Sequence, residues 1–373
     1  MLKIRGREAL PLVQGGMGVG ISAHRLAGTV AREGCVGTIS SVDLRRHHPD
    51  LMRDSGHSRD KQAIETANLV ALDREIRAAR EIAAGNGIIA VNVMRAVSQY
   101  AGYVRQSCES GADAIVVGAG LPFDLPELTA DYPGVALIPI LSEARAIGLV
   151  LRKWMRKGRL PDAIVIEHPR YAGGHLGAAK VDDVGDSRFD FAQVLPAAER
   201  LFEELGIAPI PLIVAGGINS PERVREALAL GAAGVQVGTP FAVTVEGDAH
   251  PNFKRVLAEA RPEDIVTFMS VAGLPARAVR TPWLARYLGM EALLQSRAKL
   301  RRCTLAFECL AQCGLRDGKP GMGQFCIDHH LAAALRGDVD HGLFFRGSEP
   351  VPFGSEIRPV RDLTEHLLGA RAH

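Results

Sequence analysis

Eight short apolar runs, rich in Val and Ile, recur along the chain with amphipathic helical stretches between them. Each run is continuous rather than alternating in polarity, which is typical of parallel strands that are buried on both faces. Eight such strands alternating with helices predict an α/β fold of the (β/α)8 TIM barrel type, with functional groups at the carboxyl ends of the strands. The runs span residues 10–14, 35–40, 88–94, 114–120, 136–142, 163–168, 211–217 and 234–239.

A doubly wound open sheet is the alternative arrangement for alternating strands and helices. It normally carries a G-x-G-x-x-G turn after the first strand and an acidic residue at the end of the second strand. Here Gly15, Gly16, Gly18 and Gly20 have a different spacing, and the second run ends in Ser40. The barrel is therefore favoured.

The chain is longer than a minimal barrel, and we predict where the additional residues lie. A barrel is predicted over residues 1–283, with long insertions at its mouth at about 41–75 and 170–193. Loops of this length are uncommon unless they are functional, so both insertions are expected to cover the mouth. Residues 284–373 are predicted to form a helical appendage that contains a segment with four cysteines and a Pro/Gly-rich tail.

The composition excludes several classes of protein. The 44 basic and 42 acidic residues give a net charge of +2, and aromatic residues make up 5%, so the chain has neither the charge nor the stacking surface for nucleic acid. No apolar run approaches the roughly 20 residues of a membrane helix. The N-terminal residues contain no apolar core of signal-peptide length. We therefore expect a soluble, cytoplasmic protein.

The ends of the seventh and eighth runs carry the pattern of a phosphate site. Residues 214–220, VAGGINS, end a run with two glycines and open a helix, for which Ser220 is the predicted N-cap and Pro221 the first residue. Gly238 and Thr239 follow the next run. Glycines let backbone N–H groups approach an anion closely, and TIM barrels commonly bind phosphate after these two strands. The pair of motifs favours phosphate binding over plain turns.

Six motifs occur along the chain in a characteristic order and spacing: PLVQGGMGVGIS, LAGTVAREGCVGTIS, VNVM, AGGHLG, AGGI followed after twelve residues by GAAGVQVGTPF, and GLPARAVRTP. In this order and spacing they resemble the nitronate monooxygenase family, FMN-dependent barrels formerly called 2-nitropropane dioxygenases. The resemblance covers about residues 8–282, and FMN-dependent enoyl-ACP reductases of the FabK type share the scaffold and the GGH motif. The resemblance implies FMN as the cofactor.

The resemblance also implies roles for individual residues. His175, in YAGGHLG, matches the catalytic histidine of the family, and an imidazole can act as general base, acid or anion partner near neutral pH. Residues 14–17 would lie beneath the isoalloxazine ring, and Asn92 would hydrogen-bond the flavin. The implied cofactor-binding residues are Gln14, Gly15, Gly16, Met17, Asn92, Gly118, Glu167, Gly173, Gly174, Ala215, Gly216, Gly217, Gln236, Gly238 and Thr239.

Four cysteines lie close together in the predicted appendage, at Cys303, Cys309, Cys313 and Cys326. Their spacing is not that of the usual zinc sites, which pair cysteines two to four residues apart. The x3 and x12 intervals resemble the iron–sulfur segment appended to some FMN barrels of the dienoyl-CoA reductase type, and four thiolates can hold a 4Fe–4S cluster. Zinc, or four reduced cysteines packed on helices, are the alternatives.

Three functions therefore stay open, each with a small molecule as the partner and none involving nucleic acid or a membrane. The resemblance first implies oxidation of alkyl nitronates with O2 to a carbonyl compound and nitrite. The second function is reduction of an enoyl thioester or a quinone by NAD(P)H. The third is a non-catalytic flavin or iron–sulfur redox sensor. The sequence leaves the oligomeric state open, a homodimer included.

Overall fold

A closed barrel of eight parallel strands forms the centre of the molecule in this computed structural model, which describes residues 1–369. Every barrel strand lies within one of the eight predicted runs, so the predicted fold class is confirmed. The last four residues of the predicted appendage, 370–373, lie outside the described residues. The strands are β1 (Leu2–Ile4), β2 (Arg7–Ala9), β3 (Leu12–Gln14), β4 (Val36–Ser40), β5 (Ile88–Met94), β6 (Ala114–Gly118), β7 (Ala136–Leu141), β8 (Ile164–Glu167), β9 (Gly174–His175), β10 (Leu212–Ala215), β11 (Gly234–Val237), β12 (Ile265–Met269) and β13 (Pro275–Val279). The barrel closes in the order β10-β11-β3-β4-β5-β6-β7-β8.

Helices follow the barrel strands and cover the outside of the barrel. The predicted start of the helix after β10 is confirmed, because Ser220 Oγ accepts a hydrogen bond from Arg223 N at 3.3 Å and Pro221 is the first helical residue. The helices are α1 (His24–Arg32), α2 (Pro49–Ser55), α3 (Lys61–Ala83), α4 (Tyr100–Glu109), α5 (Leu125–Leu128), α6 (Ala144–Met155), α7 (Phe191–Glu204), α8 (Pro221–Ala229), α9 (Thr239–Ala242), α10 (Pro251–Glu259), α11 (Pro282–Ser296), α12 (Gly314–Asp317), α13 (Ile327–Leu335) and α14 (Val360–Leu368).

Two apolar layers hold the barrel together, because successive side chains of a strand point to opposite faces. In β5, Ile88 and Ala90 belong to the interior cluster, whereas Ile89 packs against the surrounding helices. The hairpin of β1 and β2 adds Leu2 and Ile4 to the interior cluster and so closes the amino-terminal end of the barrel. Burial of each such aliphatic side chain stabilises the fold by about 1.5–3 kcal/mol.

The first predicted insertion lies partly beside the barrel and partly against the C-terminal region. Its second half belongs to α3, which packs against α1 and α4 on the side of the barrel. Its first half carries Asp43, whose carboxylate accepts hydrogen bonds from Arg45, at 2.7 Å, and from Arg46. Arg46 also donates to Asp328 of α13 at 2.7 Å. This buried ion network joins the insertion to the C-terminal region.

The C-terminal region folds back over the mouth of the barrel. The strands β12, β13 and β9 form a separate antiparallel sheet, in which β13 pairs Ala276 with His175 of β9. Phe345 forms an isolated bridge with Ala278 of β13, which brings the following residues to the barrel mouth. Within residues 1–369, no helix combines the length and the apolar character needed to cross a membrane.

Candidate functional site

A cavity of about 280 Å³ opens at the carboxyl ends of the barrel strands. Alternate residues of each barrel strand face inward. Where the apolar interior ends, the next inward-facing residue of a strand borders the cavity and forms part of its floor. In this way β5 contributes Asn92, β6 Gly118, β7 Ile140, β8 Glu167 and β11 Gln236. Three polar side chains therefore lie on an otherwise apolar floor.

Apart from Gln14, every residue of the predicted cofactor-binding set lines this cavity, and so does His175. Gln14 is fully buried beside the cavity. Its Oε1 accepts a hydrogen bond from Thr38 N at 2.8 Å, and its Nε2 donates to Thr38 O at 3.0 Å. The structure therefore places Gln14 as a bridge between β3 and β4, with its amide already occupied.

The predicted phosphate cup lies at one end of the cavity, after β10 and β11. Gly216 and Gly217 have φ values of +102° and +79°, a conformation that favours glycine. A Cβ at Gly217 would also come within 3.0 Å of the Tyr171 ring. Among the described residues, no acceptor bonds the backbone N–H groups of Gly217, Gly238 and Thr239. Unpaired N–H donors around a cavity match what an anion requires, so the cup fits a phosphate group.

The polar side chains of the cavity floor fit the ring system of a flavin, because their hydrogen-bonding groups are also unpaired within the described chain. Across residues 1–369, no protein hydrogen bond engages the side-chain amide of Asn92 or Gln236. A Cβ at Gly15 would lie 3.4 Å from Gln236, and a Cβ at Gly16 would lie 2.3 Å from Asn92, so these glycines keep space beside both amides. A planar ring with hydrogen-bonding edges would satisfy both groups.

His175 borders the cavity and is held by the C-terminal region. Its Nε2 lies 3.0 Å from Ser270 Oγ, and its ring contacts that of Phe345 with centroids 5.8 Å apart. In the described part of the chain, Nδ1 has no hydrogen-bond partner. Burial lowers the pKa of His175 to about 4, because desolvation disfavours the imidazolium. The ring is therefore neutral at pH 7, with one nitrogen free for a ligand.

Glu167 is the acidic residue of the cavity floor. Its side chain is the inward-facing residue at the end of β8, above the apolar interior. Burial raises the pKa of its carboxyl to about 7, since desolvation disfavours the carboxylate. Glu167 can therefore be protonated or ionised near neutral pH, as groups that transfer protons often are.

A second histidine of the same loop has a structural role. His168 Nε2 lies 3.0 Å from Asp190 Oδ1, and its Nδ1 accepts a hydrogen bond from Arg170 N at 3.3 Å. Both ring nitrogens are thus used within the loop, and His168 does not line the cavity. Of His168 and His175, only His175 borders the cavity.

No sequence pattern predicted the opposite side of the cavity, which we call the C-terminal wall. Its apolar part reaches His175 through the ring of Phe345, and its polar part crosses the phosphate cup. Local patterns do not reveal it, although LFF, residues 343–345, is a short apolar run in a tail that is otherwise rich in Pro, Gly and charged residues. The residues of the wall that line the cavity are Leu310, Ile327, Leu331, Leu343, Phe345, Arg346, Gly347, Glu349 and Pro350. We include in the wall two serines that do not line the cavity, Ser270, which contacts His175, and Ser348, which contacts Tyr171.

The four-cysteine segment forms part of this wall, to which it contributes Leu310. Cys303, Cys309, Cys313 and Cys326 are all free thiols. Cys309 borders the cavity, and burial together with the neighbouring acidic groups raises its pKa well above the usual value. Within the described residues, no group of three or more His, Cys, Asp or Glu side chains is placed to hold a metal ion. The predicted 4Fe–4S cluster therefore has no support in the structure.

Comparisons with known proteins show what the whole chain is similar to. A family model described as nitronate monooxygenase matches residues 5–368. The chain is 27% identical over 289 residues to a probable nitronate monooxygenase from Bacillus subtilis, which covers 74% of this chain and 77% of that protein.

Solved structures share the fold at lower identity. FabK from Thermotoga maritima superposes with a TM-score of 0.67 and 24% identity, covering 96% of this chain and 91% of that chain. A nitroalkane oxidase from Streptomyces ansochromogenes superposes with a TM-score of 0.64 and 19% identity, covering 96% and 94%. At these identities the two structures show a common fold.

Proposed function

The chain belongs to the nitronate monooxygenase family and is an oxidoreductase, and we propose that it binds FMN and oxidises alkyl nitronates with O2 to a carbonyl compound and nitrite. One observation carries the proposal. A single cavity combines unpaired backbone N–H groups at two strand ends with a neutral histidine that has one free ring nitrogen. The first feature suits the phosphate of the cofactor, and the second suits a small anion.

In this proposal the chain binds FMN at two places, its phosphate and its ring system. The N–H groups of Gly217, Gly238 and Thr239 donate to its phosphate, since they have no acceptor in the described chain. The amides of Asn92 and Gln236 hydrogen-bond the edges of its ring system. When bound, FMN supplies the redox chemistry that side chains cannot perform.

His175 binds and orients the substrate. Ser270 Oγ accepts a hydrogen bond from Ala272 N at 3.2 Å and can donate its own proton to His175 Nε2. In that arrangement Nδ1 carries the ring proton and donates it to an oxygen of the nitronate. In the other tautomer, Nδ1 is free to accept the α-proton of a neutral nitroalkane. Because its pKa is lowered, the His175 ring stays neutral at pH 7, so either tautomer is available.

Anaerobic mixing tests this function. We expect propyl-2-nitronate to bleach the visible flavin bands rapidly, and nitrite to form when air is admitted. NADH should bleach the same bands much more slowly. Rapid bleaching by NADH, with no response to the nitronate, would contradict the proposal.

The C-terminal wall favours a second candidate, an NAD(P)H-dependent reductase of an enoyl thioester or a quinone. Leu310, Ile327, Leu331 and Leu343 extend the apolar lining beyond the space around His175. A small nitronate would leave much of this apolar surface exposed to water, whereas an acyl chain or a quinone ring would cover it. The same bleaching experiment distinguishes the two activities. If neither donor reduces the flavin at a useful rate, a redox sensor becomes the better interpretation.

A further inference from the structure

Arg346 is a buried cation, and no carboxylate of the described residues lies at ion-pair distance from it. It is 2% exposed; its Nε donates to Leu257 O at 2.8 Å and its Nη1 to Gly347 O at 2.9 Å. Within residues 1–369, Nη2 has no acceptor. Burial lowers the pKa of Arg346, and Glu349 opposes this from beyond 4 Å. A guanidinium in such surroundings is costly unless an anion pairs with it.

The residues after Arg346 bring it to the phosphate cup. Gly347 N donates to Thr239 Oγ1 at 3.0 Å, and Ser348 N donates to Tyr171 O at 3.1 Å. Thr239 belongs to the cup, and the Tyr171 ring packs against it at Gly217. Arg346 lines the cavity at this end. The segment therefore crosses the phosphate cup and brings Arg346 to that end of the cavity.

The position of this segment is fixed by close backbone contacts. Arg346 N donates to Arg277 O of β13 at 3.3 Å. A Cβ at Gly173 would lie only 2.5 Å from the carbonyl carbon of Arg346, so the two backbones meet with no space for a side chain. A guanidinium held on such a backbone loses little conformational freedom when it binds an anion.

The neighbouring Arg277 shows what a merely structural arginine does in the same sheet. It is 6% exposed, and its Nη1 donates to two backbone carbonyls, those of Pro169 and Ala172. Arg277 does not line the cavity. The two arginines are thus equally buried, but Arg346 alone of this pair borders the space beside the unpaired N–H groups.

We propose that Arg346 pairs with the phosphate of FMN, so that the C-terminal segment completes the phosphate site which the barrel begins. This inference rests on the proposed function, because it takes FMN as the ligand. The shared chemistry is a phosphate monoester, which FMN carries and which NADPH carries at its ribose. Riboflavin has the same ring system as FMN and lacks the phosphate, so it separates the two contributions.

The test compares FMN and riboflavin on the full-length protein after the flavin has been removed. Dissociation constants come from the quenching of flavin fluorescence. We expect Arg346→Met to weaken FMN binding by about 30- to 100-fold, as for the loss of a charge-assisted hydrogen bond, and to leave riboflavin binding within about threefold. Arg346→Lys should recover much of the FMN affinity. Arg277→Met is the matched control and should leave the ratio of FMN to riboflavin affinity unchanged.

Four results would overturn the inference, and they are distinguishable from one another. Equal losses for FMN and riboflavin in Arg346→Met would make Arg346 a structural residue. Unchanged FMN binding, with a reduced preference for NADPH over NADH, would assign the cation to a nicotinamide substrate. If Arg346→Met is unfolded by circular dichroism, the neutral variant Arg346→Gln takes its place, and a folded Arg346→Gln with an unchanged ratio of FMN to riboflavin affinity would also overturn it. Wild-type protein that binds no FMN would overturn the proposed function as well.

Discussion

The two sides of the cavity are built in different ways. The barrel side consists of strand ends and the turns that follow them, and each residue there is placed by the strand that precedes it. The C-terminal wall consists of segments that reach the cavity through contacts across long stretches of chain, such as Gly347 with Thr239 and Arg346 with Leu257. The barrel side supplies backbone donors and amides, whereas the C-terminal wall supplies the apolar surface and the buried cation.

This difference divides the chemistry of the site. The backbone donors of the barrel side can hold an anion without any particular side chain, which is why TIM barrels bind phosphate so often. The C-terminal wall fixes His175, through Ser270 and Phe345, and decides how large an apolar substrate can enter. In the proposed function, the barrel side therefore supplies most of the groups that bind the cofactor, and the C-terminal wall adds the buried cation and the surface that selects the substrate.

The largest effect is expected at His175, where the two sides meet. His175→Gln should lower kcat/KM for propyl-2-nitronate by about 100- to 1000-fold, because the free ring nitrogen that contacts the substrate is lost. His168→Gln is the control, since His168 is used within its loop. It should leave kcat/KM within about threefold. Equal losses in the two variants would contradict the assignment of His175.

The next effect tests the backbone contact between the two sides. Gly173→Ala should lower the free energy of unfolding by about 1–3 kcal/mol, because its Cβ would lie 2.5 Å from the backbone of Arg346. Urea denaturation measures this change. Gly134→Ala, where nothing lies within 4 Å of the added Cβ, should have almost no effect. A Gly173 variant as stable as the Gly134 variant would show that the C-terminal segment is not tightly docked.

The floor of the barrel side has a distinct pH dependence. The pKa of Glu167 is about 7 in the folded protein, against about 4.3 when unfolded, so the folded state holds this proton more tightly. The stabilisation is complete below pH 4 and is lost as the pH rises through 7. Between pH 5 and pH 8, the free energy of unfolding of Glu167→Gln should therefore rise by about 2 kcal/mol relative to that of wild type. This value is smaller than the full pKa shift would give, because the side chain borders an open cavity.

Urea denaturation of the flavin-free protein at both pH values measures this difference. His175, with a pKa of about 4, titrates in wild type and variant alike, so its contribution cancels in the comparison. The same pH dependence in Glu167→Gln and wild type would show that Glu167 is not buried as described.

The smallest effect concerns the support that the C-terminal wall gives to His175. Ser270→Ala removes the partner of Nε2 and should lower kcat/KM about 5- to 10-fold, in line with one lost hydrogen bond. It should also change the pH profile of kcat/KM, because the imidazole loses its orienting hydroxyl. Ser348→Ala, on the same wall but bonded to Glu349, should change neither. An unchanged pH profile in Ser270→Ala would contradict the positioning role.

The sequence predicted the barrel side well because its information is local. The Val- and Ile-rich runs fix the strands, their period of two fixes which residue faces inward, and the glycines mark the turns around the cup. Gln14 shows the limit of this reasoning, since a residue next to the cavity can bond an adjacent strand instead. Whether the amide of such a residue is free depends on the neighbouring strand.

The C-terminal wall could not be predicted because its placement depends on docking. Ser270 contacts His175 across 95 residues, and Arg346 contacts Leu257 across 89, with no periodic pattern in between. The cysteine spacing indicated a cluster site, but spacing does not fix where helices and loops carry the thiols in space. Long-range packing, together with the buried ion network at Asp43, decides this part of the structure.

The central claim is that the glycine-edged strand ends bind the phosphate of FMN, and a stoichiometric titration tests it most directly. Flavin-free protein is titrated with FMN while its fluorescence and visible spectrum are recorded. We predict a yellow 1:1 complex with strongly quenched flavin fluorescence, which persists after gel filtration. Protein that stays colourless and leaves the fluorescence of added FMN unchanged would contradict the account.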